Sequence, residues 1–446
     1  MKKVIKLIAL LVVLTIVYFV YTNYSKLNIV SGYASKNMNS SVFVANRTAK
    51  TTTAQDNNFS PINQAKVVIN KEEKSTIGSA FGLMKRKAMY REGLGSVLLT
   101  KDFDESTAYL TPKRTKIVTN LPFPYGDLEQ TDTIFSEINY KTLENTVNKA
   151  FSNNEIKKTR TVLVIYKDHI IAEKYADGFD KNSLLQGWSM TKSITATIYG
   201  ILQKHGKLNI SDKASIDAWK NDERVNITID DLLHMNSGLA WEENYAGISD
   251  VTKMLFLAED MSKIQQEKEL IGKPNESWNY SSGTSNLLSG MLRNYFGGHQ
   301  EYLDFWYSGL IDKIGMHSMT IEADLSGNYV GSSYSWATTR DWAKFGLLYL
   351  HKGNWNGEQL FDESWADYVA TPTATSDGQY GGHFWLNAGG YYPDAPRDIL
   401  SANGFQGQRV FIIPSKEMVI VRMGLIGSDG FDFNEFLKGI VNSVGN

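Results

Sequence analysis

The sequence has 446 residues, of which 42% are hydrophobic. A chain of this length can bury one large domain with extensions, or two or three domains. Lys and Arg (46) nearly balance Asp and Glu (48), and no long basic run carries interleaved aromatic residues, so no nucleic-acid partner is expected. The sequence contains no cysteine, which excludes disulfides, thiolate catalysis, Cys-based zinc sites and a lipoprotein anchor.

Residues 1–24 have the pattern of a signal sequence or a membrane anchor. Three lysines precede the apolar run Leu7–Tyr21, which is long for a cleaved signal and slightly short for a membrane span. No small-x-small cleavage site follows the run immediately, which favours anchoring through residues 5–22 over cleavage. In either case the protein is predicted to be exported, to the periplasm or another extracytoplasmic site, with the inner membrane as the place of anchoring.

Composition divides the rest of the chain into three parts. Residues 25–64 are rich in Ser, Asn, Thr, Ala and Lys, which predicts a flexible polar linker. Residues 65–130 contain strand-like pieces at 96–99 and 116–119, and we interpret them as an N-terminal extension packed on the main domain. The main domain is predicted to comprise residues 131–446.

The main domain shows strands at its two ends and helices between them. Leu143, Val147 and Ala150 keep helical spacing, which predicts a helix near 140–151. Residues 161–175 and 409–423 each predict a β-hairpin. Between them, Thr228 is predicted to cap a short helix that ends at Gly238. We therefore expect an α+β fold, in which one antiparallel sheet is closed by hairpins from both chain ends and flanked by helices, with a mostly helical region inserted.

The stretch from Gly187 to Gly206 predicts a helix that carries a nucleophile in its first turn. Its apolar residues keep helical spacing to about Lys204, and Gly206 suits a left-handed C-terminal cap. Ser189 would then meet unpaired backbone N–H groups and the positive end of the helix dipole, while Lys192 lies one turn on. The alternative is an N-capping serine followed by a solvated lysine.

Two further polar segments carry candidate chemistry. Tyr280 lies in a polar loop that leads into a helix, where its phenol could shuttle protons if a nearby cation lowers its pKa; the alternative is a half-buried packing residue. Residues 401–408 precede a strand and contain two glycines, Gly404 and Gly407, which allow close backbone approach to a ligand. The alternative there is an ordinary turn.

Together these segments resemble a known family. The order S-M-T-K (189–192), Y-S-S (280–282) and A-N-G (402–404) is similar to the S-x-x-K, Y/S-x-N and K-T-G motifs of serine β-lactamases and penicillin-binding proteins. Residues 231–245 and 338–349 resemble class C-like serine hydrolases, the branch that includes family VIII esterases and 6-aminohexanoate-dimer hydrolases. The resemblance implies a β-lactamase/transpeptidase-like fold.

The resemblance also implies a mechanism of acyl transfer. Ser189 would attack a carbonyl and form an acyl-enzyme, with Lys192 and Tyr280 managing the proton; which of them is the base stays open. One oxyanion N–H would come from Ser189 and a second from the residues after Gly404. The implied substrate-binding residues are Ser282, Asn403, Gly404, Phe405, Gly407 and Gln408. The mechanism implies no metal or cofactor, and no H-E-x-x-H pair indicates a metallohydrolase.

Two departures from the motifs bear on the substrate. Ser282 stands where many relatives have Asn, and Ala402 replaces the Lys or His that commonly helps hold the carboxylate of a β-lactam or peptide. A small-molecule or peptide-like ester or amide without that carboxylate therefore fits better. The alternatives are a cell-wall DD-peptidase or β-lactamase, and a catalytically inactive anchored binding protein of the same fold. The sequence does not indicate an oligomeric state.

Overall fold

The structure, a computed structural model, describes residues 2–427 and 430–445. The α-helices are α1 Lys2–Phe43, α2 Ala49–Ala54, α3 Tyr140–Phe151, α4 Asn154–Lys157, α5 Thr191–Lys204, α6 Ile229–Leu233, α7 Asp250–Leu257, α8 Lys263–Gln266, α9 Ser282–Met291, α10 His299–Phe305, α11 Thr339–Leu350, α12 Glu363–Val369 and α13 Phe433–Val441. The strands are β1 Ala65–Asn70, β2 Ser75–Ala80, β3 Met84–Arg91, β4 Gly95–Leu98, β5 Thr159–Tyr166, β6 His169–Tyr175, β7 Leu185–Gln186, β8 Thr320–Ile321, β9 Ser335–Ala337, β10 Asn354–Trp355, β11 Glu358–Gln359, β12 Trp385–Leu386, β13 Leu400–Gly404, β14 Gln408–Ile413 and β15 Met418–Gly424. These elements form two compact units.

The first unit contains the residues up to 91, together with 96–105 and 242–259. Its sheet has the order β1-β2-β3-β4, and the C-terminal half of α1 packs on it. The Ser31 hydroxyl donates to the Met84 carbonyl and accepts from the Ala80 N–H, each at 2.8 Å. Gly78 allows this close approach, because a Cβ atom there would overlap the Ser31 carbonyl oxygen.

The structure differs from the flexible linker predicted for residues 25–64. Helix α1 continues to Phe43, and its serine and asparagine side chains between Ser31 and Ser41 are buried. The Asn39 amide, for example, donates to the Lys74 and Ala88 carbonyl oxygens at 3.1 and 3.2 Å. Composition was misleading here because a solvated linker and a helix that hydrogen-bonds to strand backbones can be rich in the same small polar residue types.

The N-terminal half of α1 was the predicted anchor. Most of its large apolar side chains are exposed, for example those of Val4 (59%), Leu11 (56%) and Val20 (43%). No single helix in the described part of the chain is long and apolar enough to cross a membrane. Lys2–Tyr18 and Asn23–Phe43, which meet at a bend of 46°, pass that test together, by length and composition only.

The second unit contains the rest of the described chain and has the predicted α+β fold. Its main sheet has the order β12-β13-β14-β15-β5-β6, with every pair antiparallel. The C-terminal strand β15 pairs with the N-terminal strand β5. One sheet is therefore closed by hairpins from both chain ends, as predicted.

Alternation along the strands gives this sheet two buried faces. Leu163 and Ile165 of β5 join the core that includes residues of α5, α9 and α11, while Val162 and Val164 join a second core with α3 and α13. Parallel layers of helix, sheet and helix follow from this pattern, since successive side chains point to opposite faces. The helical layer containing α5 and α9 carries two of the three predicted motifs.

Most local predictions for this unit are confirmed. Helix α3 and both hairpins lie within a residue or two of their predicted bounds, and Lys167 and Asp168 turn the first hairpin with positive φ values of 46° and 63°. Two predictions were wrong. Residues 116–119 form no strand, and α6 ends at Leu233, well before Gly238. A short apolar run is a weak signal for a strand, because a strand also needs a neighbouring segment to pair with. A glycine several residues beyond a helix is likewise a weak signal for where that helix ends.

Candidate active site

The first motif begins in a tight turn. Residues 188–190 form one turn of 3-10 helix directly before α5, and Ser189 is half-buried there. Trp188 adopts a left-handed conformation (φ 50°), which is rare for a bulky residue and is found where surrounding structure over-determines the backbone. The Thr191 hydroxyl donates to the Trp188 carbonyl at 2.7 Å and helps hold the turn. Helix α5 itself runs to Lys204, as predicted.

Lys192 connects the first motif to the second. Its Nζ donates to the Ser189 hydroxyl at 3.2 Å, to the Ser282 hydroxyl at 2.9 Å and to the Ser332 carbonyl at 3.0 Å. The residue is only 1% exposed, so these three acceptors satisfy an ammonium group that is shielded from water. The Ser332 contact was not predicted, since a backbone carbonyl leaves no mark in the sequence.

This arrangement suits proton transfer from a serine. The Ser332 carbonyl can only accept, so it takes one N–H in either charge state of Lys192, whereas the two hydroxyls can accept or donate. A neutral Lys192 can therefore receive the Ser189 proton along the existing 3.2 Å contact. The geometry meets the requirement that a nucleophile and its base lie within hydrogen-bond reach.

Tyr280 lies beside the same lysine. Nζ of Lys192 is 4.8 Å from the centroid of the Tyr280 ring, within the range of a cation–π contact. Ser281 caps α9 by accepting from the Thr284 N–H at 2.9 Å, which places Ser282 in the first turn of that helix. The cap explains how Tyr280 and Ser282 come to face α5 from the loop and helix of the second motif.

The third motif lies against the turn at residues 187–190, called the nucleophile turn below because it carries the candidate nucleophile Ser189. A Cβ atom at Gly404 would overlap the carbonyl oxygen of Gly187, so this glycine allows β13 to approach the turn. A Cβ atom at Gly187 would overlap the Trp342 side chain, so Gly187 makes room for α11 on the other side. Ala402 is buried in the core (1% exposed) and offers no cation. The absence of a carboxylate-binding cation at position 402 stays a prediction about the substrate.

We expect Gly404→Ala to lower kcat/KM by about 100-fold, because the added methyl group forces β13 away from Ser189 and displaces the backbone N–H groups that the resemblance predicts to hold an oxyanion. The measurement is steady-state hydrolysis of p-nitrophenyl acetate by the folded variant. Gly298→Ala is the matched control, since a Cβ atom there meets nothing within 4 Å. Equal activity of the parent and Gly404→Ala would contradict the close approach.

The loop after Gly404 is held by its own side chains. Gln408 is buried, and its amide donates to the Phe405 and Gly424 carbonyls at 2.9 and 2.6 Å, so this side chain positions the loop and is not open to a substrate. Arg422 donates to the Gly407 carbonyl at 3.0 Å. Phe405 packs edge-on against Trp188, with ring centroids 5.6 Å apart, which joins this loop to the nucleophile turn.

Asn403 is the predicted site residue with a free acceptor. Its Oδ1 is buried and has no hydrogen-bond partner within residues 2–427 and 430–445. A buried acceptor without a partner costs about 1–3 kcal/mol, which a ligand donor can recover. Asn403 is two residues from Ser401 on the same face of β13, next to the short edge strand β12.

An aromatic cluster surrounds Tyr280 and was missed by the sequence analysis. The rings of Trp385, Tyr380 and Trp278 have centroids 5.3, 5.7 and 6.4 Å from that of Tyr280. Trp278 and Trp385 are half-buried, so part of this aromatic surface is open. The one signal available was Trp278, two residues before Tyr280, because Tyr380 and Trp385 lie a hundred residues away.

A buried histidine lies behind the site. His383 donates from Nδ1 to the Leu233 carbonyl at 2.6 Å, and its Nε2 then accepts from the Ser285 hydroxyl at 2.9 Å. Burial lowers the pKa of His383 from 6.5 to about 3; the hydrogen bond to Leu233 opposes that shift, and the nearby Lys192 charge adds to it. His383 is therefore neutral in the folded protein at ordinary pH.

This depressed pKa predicts acid lability. The unfolded histidine binds a proton below about pH 6.5 while the folded one does not, so stability is fully present above pH 6.5 and falls as the pH approaches 3. Between pH 7.5 and pH 5 we expect a loss of about 2 kcal/mol in the free energy of unfolding from this group. Urea unfolding of His383→Asn should show a smaller pH dependence by that amount, with exposed His205→Asn as the control. An unchanged slope would contradict it.

The sequence that forms most of the second unit matches a known protein family. The model of the Beta-lactamase family matches residues 157–424, more than half of the chain. The chain belongs to the Beta-lactamase family. It is thus a serine hydrolase of the β-lactamase fold, as the resemblance implied. The match includes all three motifs and leaves the first 156 residues outside it.

Solved structures of the family share this fold. A protein of Bacillus anthracis assigned as a 6-aminohexanoate-dimer hydrolase is 21% identical, with a TM-score of 0.56 over 66% of this chain and 79% of that one. A family VIII carboxylesterase is 12% identical, with a TM-score of 0.56 over 71% and 100%. A class C β-lactamase in complex with cefoxitin is 13% identical, with a TM-score of 0.50 over 69% and 100%. No curated protein matches the chain.

Proposed function

We propose that this protein hydrolyses an ester or amide bond through an acyl-enzyme on Ser189. The observation that carries the proposal is the contact of the buried Lys192 amine with the Ser189 hydroxyl, at 3.2 Å, at the start of a helix. The Ser189 hydroxyl attacks the carbonyl carbon and its proton passes to the Lys192–Tyr280 pair, which returns it to the leaving group. Water then attacks the acyl-enzyme and releases the acid.

The oxyanion is proposed to lie between two backbone N–H groups. Ser189 supplies one at the start of its helical segment, where N–H groups lack helical partners. Phe405 is the first residue after Gly404, the point where β13 comes closest to the turn, and we propose its N–H as the second. Both groups are held by backbone packing, so they need little reorganisation when charge develops on the oxygen.

The substrate proposed is an uncharged ester or amide. Ala402 supplies no cation for a carboxylate, and the wall beside Tyr280 is aromatic, which suits an apolar acyl or leaving group. A cationic substrate is disfavoured by the nearby amine of Lys192.

The experiment compares three reagents on the full-length protein. We expect a fluorophosphonate to add one label in intact-mass analysis, p-nitrophenyl acetate and butyrate to be turned over, and a fluorescent penicillin to give no saturable acylation. Saturable acylation by the penicillin would instead support a DD-peptidase or β-lactamase. A folded protein with neither label nor turnover would leave the anchored binding protein as the better proposal.

The proposal includes export and anchoring of the protein by residues 5–22. The support is the lysine-flanked apolar run, whose large side chains are exposed along the N-terminal half of α1. Membranes of cells producing the full-length protein should retain it after alkaline carbonate washing. Release into the carbonate supernatant, or a mature protein that lacks these residues in intact-mass analysis, would contradict anchoring.

A further inference from the structure

The β2–β3 hairpin of the first unit ends in an exposed apolar tip. Phe81 and Leu83 flank Gly82 at this tip and are 67% and 66% exposed. Exposing two large apolar side chains side by side in a turn is unfavourable in water, and such patches commonly mark contact sites. Nothing in the proposed chemistry of the second unit uses this tip.

Contacts with α1 fix the direction in which the tip extends. The Ser35 hydroxyl donates to the Thr76 carbonyl at 3.0 Å, and four residues nearer the helix N-terminus the Ser31 hydroxyl accepts from the Ala80 N–H at 2.8 Å. A step toward the helix N-terminus is thus a step toward the tip. Residues 81–83 follow Ala80 and continue in that direction, toward the exposed apolar half of α1.

The part of α1 next to the tip has the features of a membrane interface. Tyr21 and Tyr24 are 82% and 51% exposed, at the end of the apolar run, and tyrosines favour the boundary between lipid and water. Tyr24 is seven residues from Ser31, about 10 Å along a helix axis. Ala80 bonds to Ser31, so the tip begins within about 10 Å of Tyr24 along the axis of α1, on the same side of the bend between Tyr18 and Asn23.

Basic residues lie directly behind the apolar tip. Lys66, Ser79 and Lys85 are opposite one another on three adjacent strands, and both lysines are exposed. Residues 81–91 include no acidic residue. An apolar tip followed by lysines suits the surface of an anionic membrane. There the apolar side chains can enter the region between headgroups and acyl chains, while the lysine ammonium groups lie near the lipid phosphates.

We propose that Phe81 and Leu83 insert into the interfacial region of an anionic lipid bilayer, as a second membrane contact beside the α1 anchor. The proposal rests on the anchoring by residues 5–22. A single helix leaves the first unit free to rotate and tilt on the membrane, whereas a second contact fixes how the β1–β4 sheet is oriented to the lipid surface. The occupant is lipid because the tip extends toward the anchor end of α1 and has exposed lysines behind it, which suits an anionic membrane surface.

The absence of cysteine allows a direct test on the full-length protein. An environment-sensitive fluorophore is attached to the single cysteine of each of three variants, Phe81→Cys, Leu11→Cys and Val68→Cys. The labelled proteins are placed in vesicles of phosphatidylcholine and phosphatidylglycerol that contain spin-labelled lipid as the quencher. Leu11 lies in the anchor, and Val68 is a matched control because it is 70% exposed on the same sheet, away from the tip. We expect quenching at Leu11 and Phe81, with Phe81 quenched best by headgroup-proximal spin labels, and none at Val68.

The outcomes separate the hairpin from the anchor. Quenching at Leu11 with Phe81 as accessible to aqueous iodide as Val68 would overturn the hairpin contact and leave the anchor intact. Absence of quenching at Leu11 would overturn the anchor and, with it, this proposal. Replacing phosphatidylglycerol by phosphatidylcholine should lower quenching at Phe81 about twofold or more, because the membrane surface then has no net negative charge to attract Lys66 and Lys85.

Discussion

Replacing Ser189 with alanine is expected to lower kcat for p-nitrophenyl esters by about 10⁴-fold or more and to abolish labelling by a fluorophosphonate. The change removes the hydroxyl oxygen proposed to form the acyl-enzyme, while leaving the turn and helix α5 in place. Lys192 loses one of three acceptors and keeps the Ser282 hydroxyl and the Ser332 carbonyl, so the fold should survive.

The measurement for Ser189→Ala is intact mass after labelling, together with initial rates and circular dichroism. Ser136→Ala, at an exposed serine outside the site, is the control and should label and turn over like the parent. A folded Ser189→Ala protein that still takes the label would show that another residue is the nucleophile.

Replacing Lys192 with methionine is expected to lower kcat by about 10³-fold, the usual range for loss of a general acid–base group. Methionine keeps much of the side-chain volume but cannot accept the Ser189 proton. It also leaves the Ser332 carbonyl without the N–H that now lies 3.0 Å from it, so some stability should be lost as well.

Activity and stability can be separated with a matched lysine. Lys344→Met removes another buried amine, on α11 and outside the three motifs in sequence, which donates to the Gly315 carbonyl at 2.6 Å and pairs with Asp341 at 3.5 Å. It should lose comparable stability in urea unfolding while keeping kcat. If Lys192→Met acylates with fluorophosphonate within about tenfold of the parent rate, the proton path through Lys192 is wrong.

Features encoded by short stretches of sequence were predictable. Helix α5, helix α3 and the two hairpins follow from apolar spacing and turn residues, and the Thr228 cap of α6 follows from a capping pattern that the structure completes with Asp231. Local chemistry decides these elements, because each helical turn or tight loop is built from residues close in the chain.

The order of the motifs in the sequence predicted which segments lie near one another. Ser189, Lys192 and Tyr280 do come together around one amine, and Gly404 does approach the nucleophile turn. Their roles in catalysis stay predictions, to be decided by the variants above. What the motifs could not give was the third partner of Lys192, because the carbonyl of Ser332 is a backbone atom.

Tertiary structure alone decided three further features. Tyr380 and Trp385 contact Tyr280 only because the chain folds back after about a hundred residues. The side-chain amide of Gln408 donates its hydrogen bonds to the Phe405 and Gly424 carbonyls. Residues 31–41, which have the composition of a solvated linker, form a buried helix instead. Whether a polar side chain meets water or a strand backbone depends on what packs against it, and composition carries no information about that partner.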